Sequence, residues 1–268
     1  MNDQDWEKHW SEYKRDPLKH IDKPLEYSDV SWKIYLKRLI QLVEEERLKR
    51  ILEVGVGSGI ATRYLYKLGY EVKAIDISKK AVDILNNRIN EKKENTIAKR
   101  LNLYELNENS EYDLIISSGV KEFLPDLDSA LKIEWQALRP GGILHFVMVP
   151  RKFSIQTLGD LQRRLAHFIF KFMYKKDYTG NYESSINKNY KIKNYTEKQL
   201  IDAMKRNGFK EVKVKYRTPF PNLALNRLLK ERYIRFLISK EDWWFRYGDT
   251  NCLYSKVFGI SVEVIGKK

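Results

Sequence analysis

The sequence predicts an α/β fold in which a doubly wound, mostly parallel sheet is flanked by helices. Short apolar segments alternate along the chain with amphipathic segments of helical period, which is the pattern of strand–helix–strand units. The first apolar segment ends in three glycines at alternate positions and leads into a helical pattern. Residues 143–149 are almost wholly apolar, which is typical of a central parallel strand.

The first 48 residues are predicted to form a helical cap in front of the sheet. Trp6, Trp10 and Tyr13 have the i, i+4, i+7 spacing of one helix face, and residues 32–50 have the apolar period of a longer amphipathic helix. The aromatic face has two interpretations, as cover over a ligand site or as packing against the sheet, and the sequence leaves both open.

Residues 49–150 are predicted to form the core of the fold. Its five strands are predicted over residues 50–55, 71–76, 97–101, 112–117 and 143–149. The helices between them are predicted over residues 60–68, 79–93 and 127–138. Ser78 is the expected N-cap of the second of these helices, and Pro140-Gly141-Gly142 are expected to end the third.

Residues 151–268 are predicted to complete the same domain, because 268 residues suit one α/β domain with insertions. A helix is expected over residues 196–207, and strands are expected over residues 212–216 and 260–265. Two stretches do not fit the sheet, at about 151–194 and 218–256. Both combine apolar residues at helical spacing with many Lys and Arg.

The turn after the first strand, within residues 51–59, is the strongest functional signal. Glycines let a backbone turn tightly and approach a ligand, and such turns lie at the carboxyl edge of parallel sheets, where nucleotides bind. The spacing is G-x-G-x-G rather than the G-x-G-x-x-G of dinucleotide sites. Glu53 precedes the turn and is placed to bind a cation, whereas Asp76 ends the second strand and is placed to accept both ribose hydroxyls of an adenosine. The pattern favours an adenosine with an amino-acid tail.

These residues resemble the first two motifs of the class I S-adenosylmethionine (SAM) methyltransferases. Residues 112–126 resemble a later motif of that family, and residues 137–144 are similar to its Pro-Gly-Gly turn into the fifth strand. The resemblance covers about residues 50–150. It implies a Rossmann-like, seven-stranded sheet whose last strand is antiparallel, with helical inserts after strand five and between strands six and seven. The small-molecule, methyltransferase type 11-like branch resembles the chain most.

The resemblance implies SAM as the cofactor, S-adenosylhomocysteine as its product, and no metal. Glu53 is expected to hold the ammonium group of SAM, directly or through water, and Asp76 its ribose hydroxyls. The other positions that the resemblance assigns to the cofactor are Gly55, Gly57, Gly59, Ile77, Asn102, Leu103, Ser118, Gly119 and Val120. Asn102 stands where many relatives have an aspartate near the adenine, and a plain Asx turn is its alternative role.

In-line methyl transfer is the implied reaction, and it needs a dedicated base only if the acceptor arrives protonated. Relatives often have a histidine where this chain has Phe123, so that base is missing. Glu122 and His145 remain as candidate catalytic residues. Orientation of the loop is the alternative role for Glu122, and a hydrogen-bonded place in the core is the alternative for His145.

The net charge of +14 is unevenly distributed. Residues 1–150 contain 24 Lys and Arg against 25 Asp and Glu, whereas residues 151–268 contain 26 against 11. This asymmetry indicates an anionic substrate, surface or partner. Basic amphipathic helices with Trp and Phe are typical of a membrane interface. A substrate lid and an RNA-binding surface are the alternatives.

The sequence therefore predicts a SAM-dependent methyltransferase for a small or amphiphilic acceptor of lipid, quinone, sugar or natural-product type. An RNA-directed methyltransferase and a non-catalytic SAM-binding subunit are alternatives. RNA or DNA is less favoured, because Ser-Ser-Gly-Val after strand four differs from the Pro-Pro-aromatic turn of base methyltransferases.

The compartment is predicted from what the sequence lacks. Cys252 is the one cysteine, and we recognise no signal peptide and no apolar segment long enough to span a bilayer. A cytoplasmic location is expected, with peripheral contact at the inner face of the membrane left open. The oligomeric state is not predicted.

Overall fold

A seven-stranded sheet forms the centre of the molecule. The computed structural model describes residues 3–13, 15–89, 97–148, 193–217, 227–248, 250–259 and 261–268. The strands are β1 (Arg50–Val54), β2 (Glu71–Asp76), β3 (Ala98–Arg100), β4 (Tyr112–Ser118), β5 (Leu138–Met148), β6 (Lys210–Arg217) and β7 (Ser261–Lys267). Their order in the sheet is β3-β2-β1-β4-β5-β7-β6.

Helices cover both faces of this sheet. They are α1 (Asp3–Glu12), α2 (Tyr27–Glu45), α3 (Ile60–Lys67), α4 (Lys79–Ile89), α5 (Leu127–Ala137), α6 (Glu197–Arg206), α7 (Arg227–Ser239) and α8 (Leu253–Phe258). Short 3₁₀ turns occur at Pro17–His20, Leu103–Glu105 and Lys121–Phe123. After α7, a single helical turn, Glu241–Trp243, leads into a π-helical turn, Trp244–Gly248.

The strand directions confirm the predicted doubly wound sheet. Strands β1 to β5 are parallel to one another, and β7 is antiparallel to both β5 and β6. The chain goes from β1 outward to β2 and β3, and then crosses to β4 on the other side of β1. This reversal opens a crevice at the carboxyl ends of β1 and β4, which is where doubly wound sheets bind ligands.

Two apolar layers hold the helices on the sheet. On one face α5 and α6 pack on the central strands through buried side chains such as Leu131, Phe146 and Met204. On the opposite face α2 and α3 pack on the same strands through side chains that include Leu39 and Leu65. Removal of this apolar surface from water is the main force that positions the strand ends.

Three predicted boundaries are wrong by five residues. Helix α2 ends at Glu45 rather than at residue 50, which already belongs to β1. Helix α2 begins at Tyr27 rather than at residue 32, because Glu26 and Asp29 form a reciprocal capping box at its start. Strand β5 begins at Leu138 rather than at residue 143. The Pro-Gly-Gly segment that was expected to precede the strand forms an irregularity within it, since the strand register shifts there.

The predicted helical insert between β6 and β7 is confirmed by α7, the turns after it and α8. Helix α7 packs on α2 in a small apolar cluster that contains Ile34, Ile234, Leu237 and Trp244. The insert predicted after β5, at about 151–194, lies almost entirely outside the described residues. Within the described part of the chain, no helix is long and apolar enough to cross a membrane.

Candidate functional site

The glycine turn between β1 and α3 has a backbone that only glycine adopts readily. Gly55, Gly57 and Gly59 have φ angles of 75°, 49° and 70°. The Gly59 amide donates to the carbonyl of Val56 at 2.7 Å, which closes the turn, and the Gly55 amide donates to the carbonyl of Ile75 at 2.8 Å. The turn therefore joins β1 to α3 and is tied to the end of β2.

Close packing is a second reason for these glycines. A Cβ atom on Gly55 would lie 2.2 Å from Cγ2 of Val120, and one on Gly57 would lie 2.9 Å from Cζ2 of Trp10. Side chains from the N-terminal helix and from the turn after β4 thus lie directly against the glycine backbone. The predicted turn residues and Val120 are brought together at one place in the crevice.

Glu53 lies beneath this turn and is 5% exposed. Its Oε2 atom accepts hydrogen bonds from the amide of Thr62, at 3.0 Å, and from the Thr62 hydroxyl. Burial raises the pKa of Glu53 to about 7, against the lowering effect of the Thr62 hydrogen bonds. A cation next to the carboxylate would favour its ionised form, so the buried acid suits the ammonium group that the sequence predicts here.

Asp76 connects the end of β2 to the glycine turn. Its Oδ2 accepts a hydrogen bond from the Gly57 amide at 3.1 Å, and its Oδ1 accepts one from the Ser78 amide at 2.8 Å. Burial raises its pKa, although these hydrogen bonds oppose the shift. Ile77 follows as a half-buried residue. The two acids of the predicted site therefore lie on either side of one turn.

Asn102 and Leu103 have surroundings that differ from those of the two acids. Asn102 is exposed, and its Oδ1 accepts a hydrogen bond from the amide of Tyr104 at 3.1 Å, which caps the following 3₁₀ turn. This is the Asx-type role given above as the alternative. Leu103 is 4% exposed and packs in the hydrophobic core. Cofactor contacts of these two residues stay a prediction.

The end of β4 forms the other wall of the crevice. Ser118, Gly119 and Val120 are half-buried, and the Gly119 amide donates to the carbonyl of Val147 at 2.9 Å. Gly119 has a φ of 72°, and the nearest atom to a Cβ placed there is Oε1 of Glu122, at 4.0 Å. The backbone at Gly119 thus borders open space, with the Glu122 carboxylate beside it.

The turn that follows is fixed by buried charges. Lys121 and Glu134 form an ion pair whose side chains are both fully buried, and this pair ties the turn to α5. Glu122 is 1% exposed, and its carbonyl accepts a hydrogen bond from the Lys193 amide at 2.9 Å. Breaking a buried pair leaves an uncompensated charge, so this turn is expected to be rigid.

His145 lies in the middle of β5 and is 2% exposed. Its Nε2 is 2.5 Å from Oε1 of Glu263, and its ring stacks on Tyr35 with centroids 5.7 Å apart. Burial opposes the ionisation of Glu263, but the hydrogen bond with His145 and the charges of His145 and Arg217 lower its pKa to about 2. This is the arrangement of a hydrogen-bonded core residue, which was the alternative role for His145.

Helix α1 lies across the crevice. Trp6 meets Phe123 edge to face, with ring centroids 5.3 Å apart, and Trp10 packs on the Gly57 backbone. At the α4 side, the Glu7 carboxylate accepts hydrogen bonds from the Lys80 amide, at 3.1 Å, and from the Ser78 hydroxyl. The predicted aromatic face thus packs across the crevice, from the end of β4 to the start of α4.

One residue of this face was missed by the sequence analysis. His9 is half-buried and lies between Trp6 and Trp10, with ring centroids 5.8 and 4.8 Å away. The signal was present, because the positions 6, 9, 10 and 13 follow the i, i+3, i+4, i+7 pattern of one helix face. Among the described residues, no group of three or more His, Cys, Asp or Glu side chains is arranged to hold a metal ion.

The sequence has recognisable relatives. A family model described as a methyltransferase domain matches residues 31–214. A ubiquinone biosynthesis O-methyltransferase of Coxiella burnetii is 27% identical over 153 residues, which are 56% of this chain and 59% of that protein. One of Aromatoleum aromaticum is 28% identical over 127 residues, which are 47% and 53% of the two chains. The chain thus spans little more than half the length of the curated relatives it matches.

Solved structures share the fold. A SAM-dependent methyltransferase from Archaeoglobus fulgidus superposes with a TM-score of 0.53 and 15% identity, over 88% of this chain and 94% of that one. Phosphoethanolamine N-methyltransferase 2 of Haemonchus contortus, solved with S-adenosyl-L-methionine, has a TM-score of 0.52 and 17% identity, over 95% and 60% of the two chains. At these identities the similarity concerns the fold.

Proposed function

This chain belongs to the class I SAM-dependent methyltransferases, and from that premise we propose that it methylates a small, amphiphilic acceptor. The observation that supports the site most strongly is the pair of buried acids, Glu53 and Asp76, on either side of the glycine turn. Two acids there match the two polar ends of SAM, its ammonium group and its ribose.

SAM supplies an electrophilic methyl group when it is bound at this site. The protein's own part is to bind, to orient and to exclude water. Glu53 would hold the ammonium group, Asp76 the ribose hydroxyls, and the glycine turn would let the backbone lie close to the cofactor. Ser118, Gly119 and Val120 would flank the reacting groups at the end of β4.

The aromatic cover over the crevice supports an acceptor with apolar character. Trp6 and Phe123 offer ring faces and edges at the β4 side of the crevice, and both are half-buried. Aromatic side chains favour ligands with large apolar or aromatic surface. The curated relatives named above are O-methyltransferases of ubiquinone biosynthesis. We therefore propose an acceptor that resembles a lipid or a quinone.

Methyl transfer can be tested without a known acceptor. Purified protein is incubated with an extract of its source cells and with SAM labelled in the methyl group, and the label is separated into organic, RNA and polar small-molecule fractions. We expect label in the organic fraction. Label in the RNA fraction alone would replace the proposed acceptor with RNA, and label in the polar fraction alone would exclude an amphiphile.

We also propose that the protein is cytoplasmic and that the surface formed by α7, the turns after it and α8 contacts an anionic membrane. Large apolar side chains are exposed there, namely Leu229, Phe236, Trp243, Leu253, Tyr254 and Val257. Trp243 and Tyr254 meet edge to face, with ring centroids 6.2 Å apart, so the two helical segments form one surface. Exposed aromatic and aliphatic side chains of this kind favour a lipid interface.

The segment from α7 to the π-helical turn also carries exposed cations. Arg232, Arg235, Lys240 and Arg246 are exposed, and among the described residues none of them is in ion-pair distance of an acid. Each basic residue near an anionic bilayer contributes about 1 kcal/mol of attraction. The surface therefore combines the two properties that peripheral membrane proteins use.

Flotation with vesicles tests this contact. The protein should float with phosphatidylcholine vesicles that contain phosphatidylglycerol, and much less with pure phosphatidylcholine. The double variant R232E/R235E should bind at least about tenfold more weakly, whereas K198E/K205E, with the same charge change on α6, should bind like the wild type. Equal recovery with both vesicle types would refute the membrane proposal.

Two alternative functions, methylation of RNA and SAM binding without catalysis, can each be tested. The positive charge of residues 151–268 favours RNA as a second candidate, which predicts RNA affinity that falls steeply with added salt. Phe123, in place of the histidine of many relatives, favours a SAM-binding subunit without activity. Absence of salt-sensitive RNA binding would exclude the first, and methyl transfer to any acceptor would exclude the second.

A further inference from the structure

We propose that His9 is the general base of this methyltransferase and that the acceptor presents a hydroxyl group to it. The inference rests on the proposed function, which it extends to the acceptor atom and to the residue that takes its proton. The turn after β4 has Phe123 where many relatives have a histidine, so a base has to come from another part of the site.

The position of His9 follows from its neighbours on α1. Trp6, three residues before it, lies against Phe123 at the β4 side of the crevice, and Trp10, the next residue, lies against Gly57 at the β1 side. Tyr13, one turn later, completes the same helix face, with its ring centroid 6.5 Å from that of His9. Because His9 lies between Trp6 and Trp10 on this helix face, its side chain faces the crevice between the glycine turn and the end of β4.

The ring nitrogens of His9 are free for a ligand. Three aromatic rings surround the imidazole, two of them edge to face, and they fix its plane without binding its nitrogens. In the described ranges, no protein group forms a hydrogen bond with either ring nitrogen of His9. His145 differs in this respect, because its Nε2 is held by Glu263 in the core.

The electrostatic environment keeps His9 neutral at physiological pH. Partial burial lowers its pKa, and the negative charge of Glu12 opposes this only in part. Helix α4, which packs against α1, carries Lys79, Lys80, Asp83 and Arg88, and Asp76 and Glu122 lie at the ends of β2 and β4. None of these charges is among the causes of the lowered pKa of His9. A neutral imidazole is the form that accepts a proton, so His9 is ready to act as a base.

The acceptor hydroxyl gives its proton to a ring nitrogen of His9 while its oxygen forms the bond to the methyl carbon. The electron pair of the broken carbon–sulfur bond stays with sulfur, which becomes neutral. The imidazolium of His9 then releases its proton to water as the methyl ether leaves.

The test compares H9Q with H20Q, which changes a histidine of the Pro17–His20 turn instead. The acceptor probe is 4-octylcatechol, an amphiphile with phenolic hydroxyls. We expect kcat of H9Q to fall at least about 100-fold, KM for the probe to stay within threefold, and H20Q to match the wild type. The wild-type kcat should increase with pH and become constant at a pH below 7, where His9 is fully neutral. The kcat of H9Q should not show this pH dependence. Added imidazole should restore part of the activity of H9A.

Two readouts do not depend on turnover. Affinity for S-adenosylhomocysteine should be equal in H9Q and wild type, which shows that the cofactor side is intact. In NMR titrations, the His9 ring signal should have a midpoint below pH 6.5 and should shift when the probe is added to the complex with S-adenosylhomocysteine.

The outcomes separate the two proposals. Full activity of H9Q, or a His9 signal that ignores the probe, would overturn the role of His9 alone. A wild-type protein that binds S-adenosylhomocysteine but leaves 4-octylcatechol unmethylated would overturn the hydroxyl acceptor and the base together. Lack of any S-adenosylhomocysteine binding would instead refute the proposed function.

Discussion

Trp6 and Phe123 meet edge to face across the crevice, with ring centroids 5.3 Å apart and ring planes at 90°. One ring belongs to the N-terminal helix and the other to the turn after β4, which the buried pair of Lys121 and Glu134 ties to α5. The helix that packs on the glycine turn is thus attached to the turn after β4.

Removal of this contact should loosen α1 without unfolding the protein. An edge-to-face pair contributes about 0.5–1.5 kcal/mol, so amide exchange in residues 3–12 of Trp6→Ala should accelerate by roughly three- to tenfold. Phe123→Ala should give the same acceleration, and the double variant should add little, because the partner is already missing. Hydrogen exchange read by mass spectrometry checks this. Unchanged exchange in both single variants would show that the ring pair does not hold α1.

Gly57 and Gly69 offer a matched test of the glycine turn. Both have positive φ angles, but a Cβ on Gly57 would meet Trp10 at 2.9 Å, whereas a Cβ on Gly69 would meet no atom within 4 Å. Gly69→Ala should therefore lower the free energy of unfolding by about 1–2 kcal/mol and leave S-adenosylhomocysteine affinity unchanged. Gly57→Ala should also weaken that affinity, by about tenfold or more. Equal affinities in the two variants would contradict the role of the turn.

Glu53 should lower stability at high pH. Its pKa rises from 4.5 to about 7 on folding, so the folded protein binds more protons between these values and loses stability as the pH increases through them. Glu53→Gln should therefore be more stable than the wild type at pH 8, by up to about 3 kcal/mol, and the difference should vanish near pH 4.5. Urea unfolding at several pH values measures this, with the exposed Glu44→Gln as the control. A difference independent of pH would exclude a raised pKa.

Glu263 should raise the free energy of unfolding, whereas Glu53 lowers it, and the effect of Glu263 should appear at lower pH. Its pKa falls from 4.5 to about 2 on folding, so its contribution is present above pH 4.5 and is lost as the pH falls towards 2. Glu263→Gln should lower the free energy of unfolding at pH 7 by about 2–3 kcal/mol, and less at pH 3. The same unfolding experiment applies. A destabilisation that is as large at pH 3 as at pH 7 would show that the lowered pKa of Glu263 is not its cause.

The sequence predicted the sheet and the place of the two acids at its edge because both depend on local patterns. A strand, a glycine turn and a helix in series place Glu53 and Asp76 at the sheet edge without knowledge of distant contacts. The start of β5 was mispredicted for the same reason. Pro140 and two glycines indicate a turn locally, but pairing with β4 and β7 keeps that segment in the strand.

Other features depend on contacts between distant residues. Nothing near Lys121 in the sequence indicates that it pairs with Glu134 in the core, or that Glu263 holds His145. Leu103 could not be placed in the core from its motif position alone, because the depth of a turn beneath the surface is set by packing. His9 was visible in the pattern, but its meaning required Trp6 and Trp10 to be located on the crevice.

The affinity of S-adenosylhomocysteine for wild type, Asp76→Ala and Asp83→Ala, measured by calorimetry, tests the central claim most directly. Asp76 lies at the proposed ribose position, whereas Asp83 is an acid on the exposed side of α4 that pairs with Lys79. The account predicts tight binding to the wild type and to Asp83→Ala, and binding at least about tenfold weaker to Asp76→Ala, because charge-assisted hydrogen bonds to the ribose are lost. Equal affinity of all three proteins would contradict the proposed cofactor site.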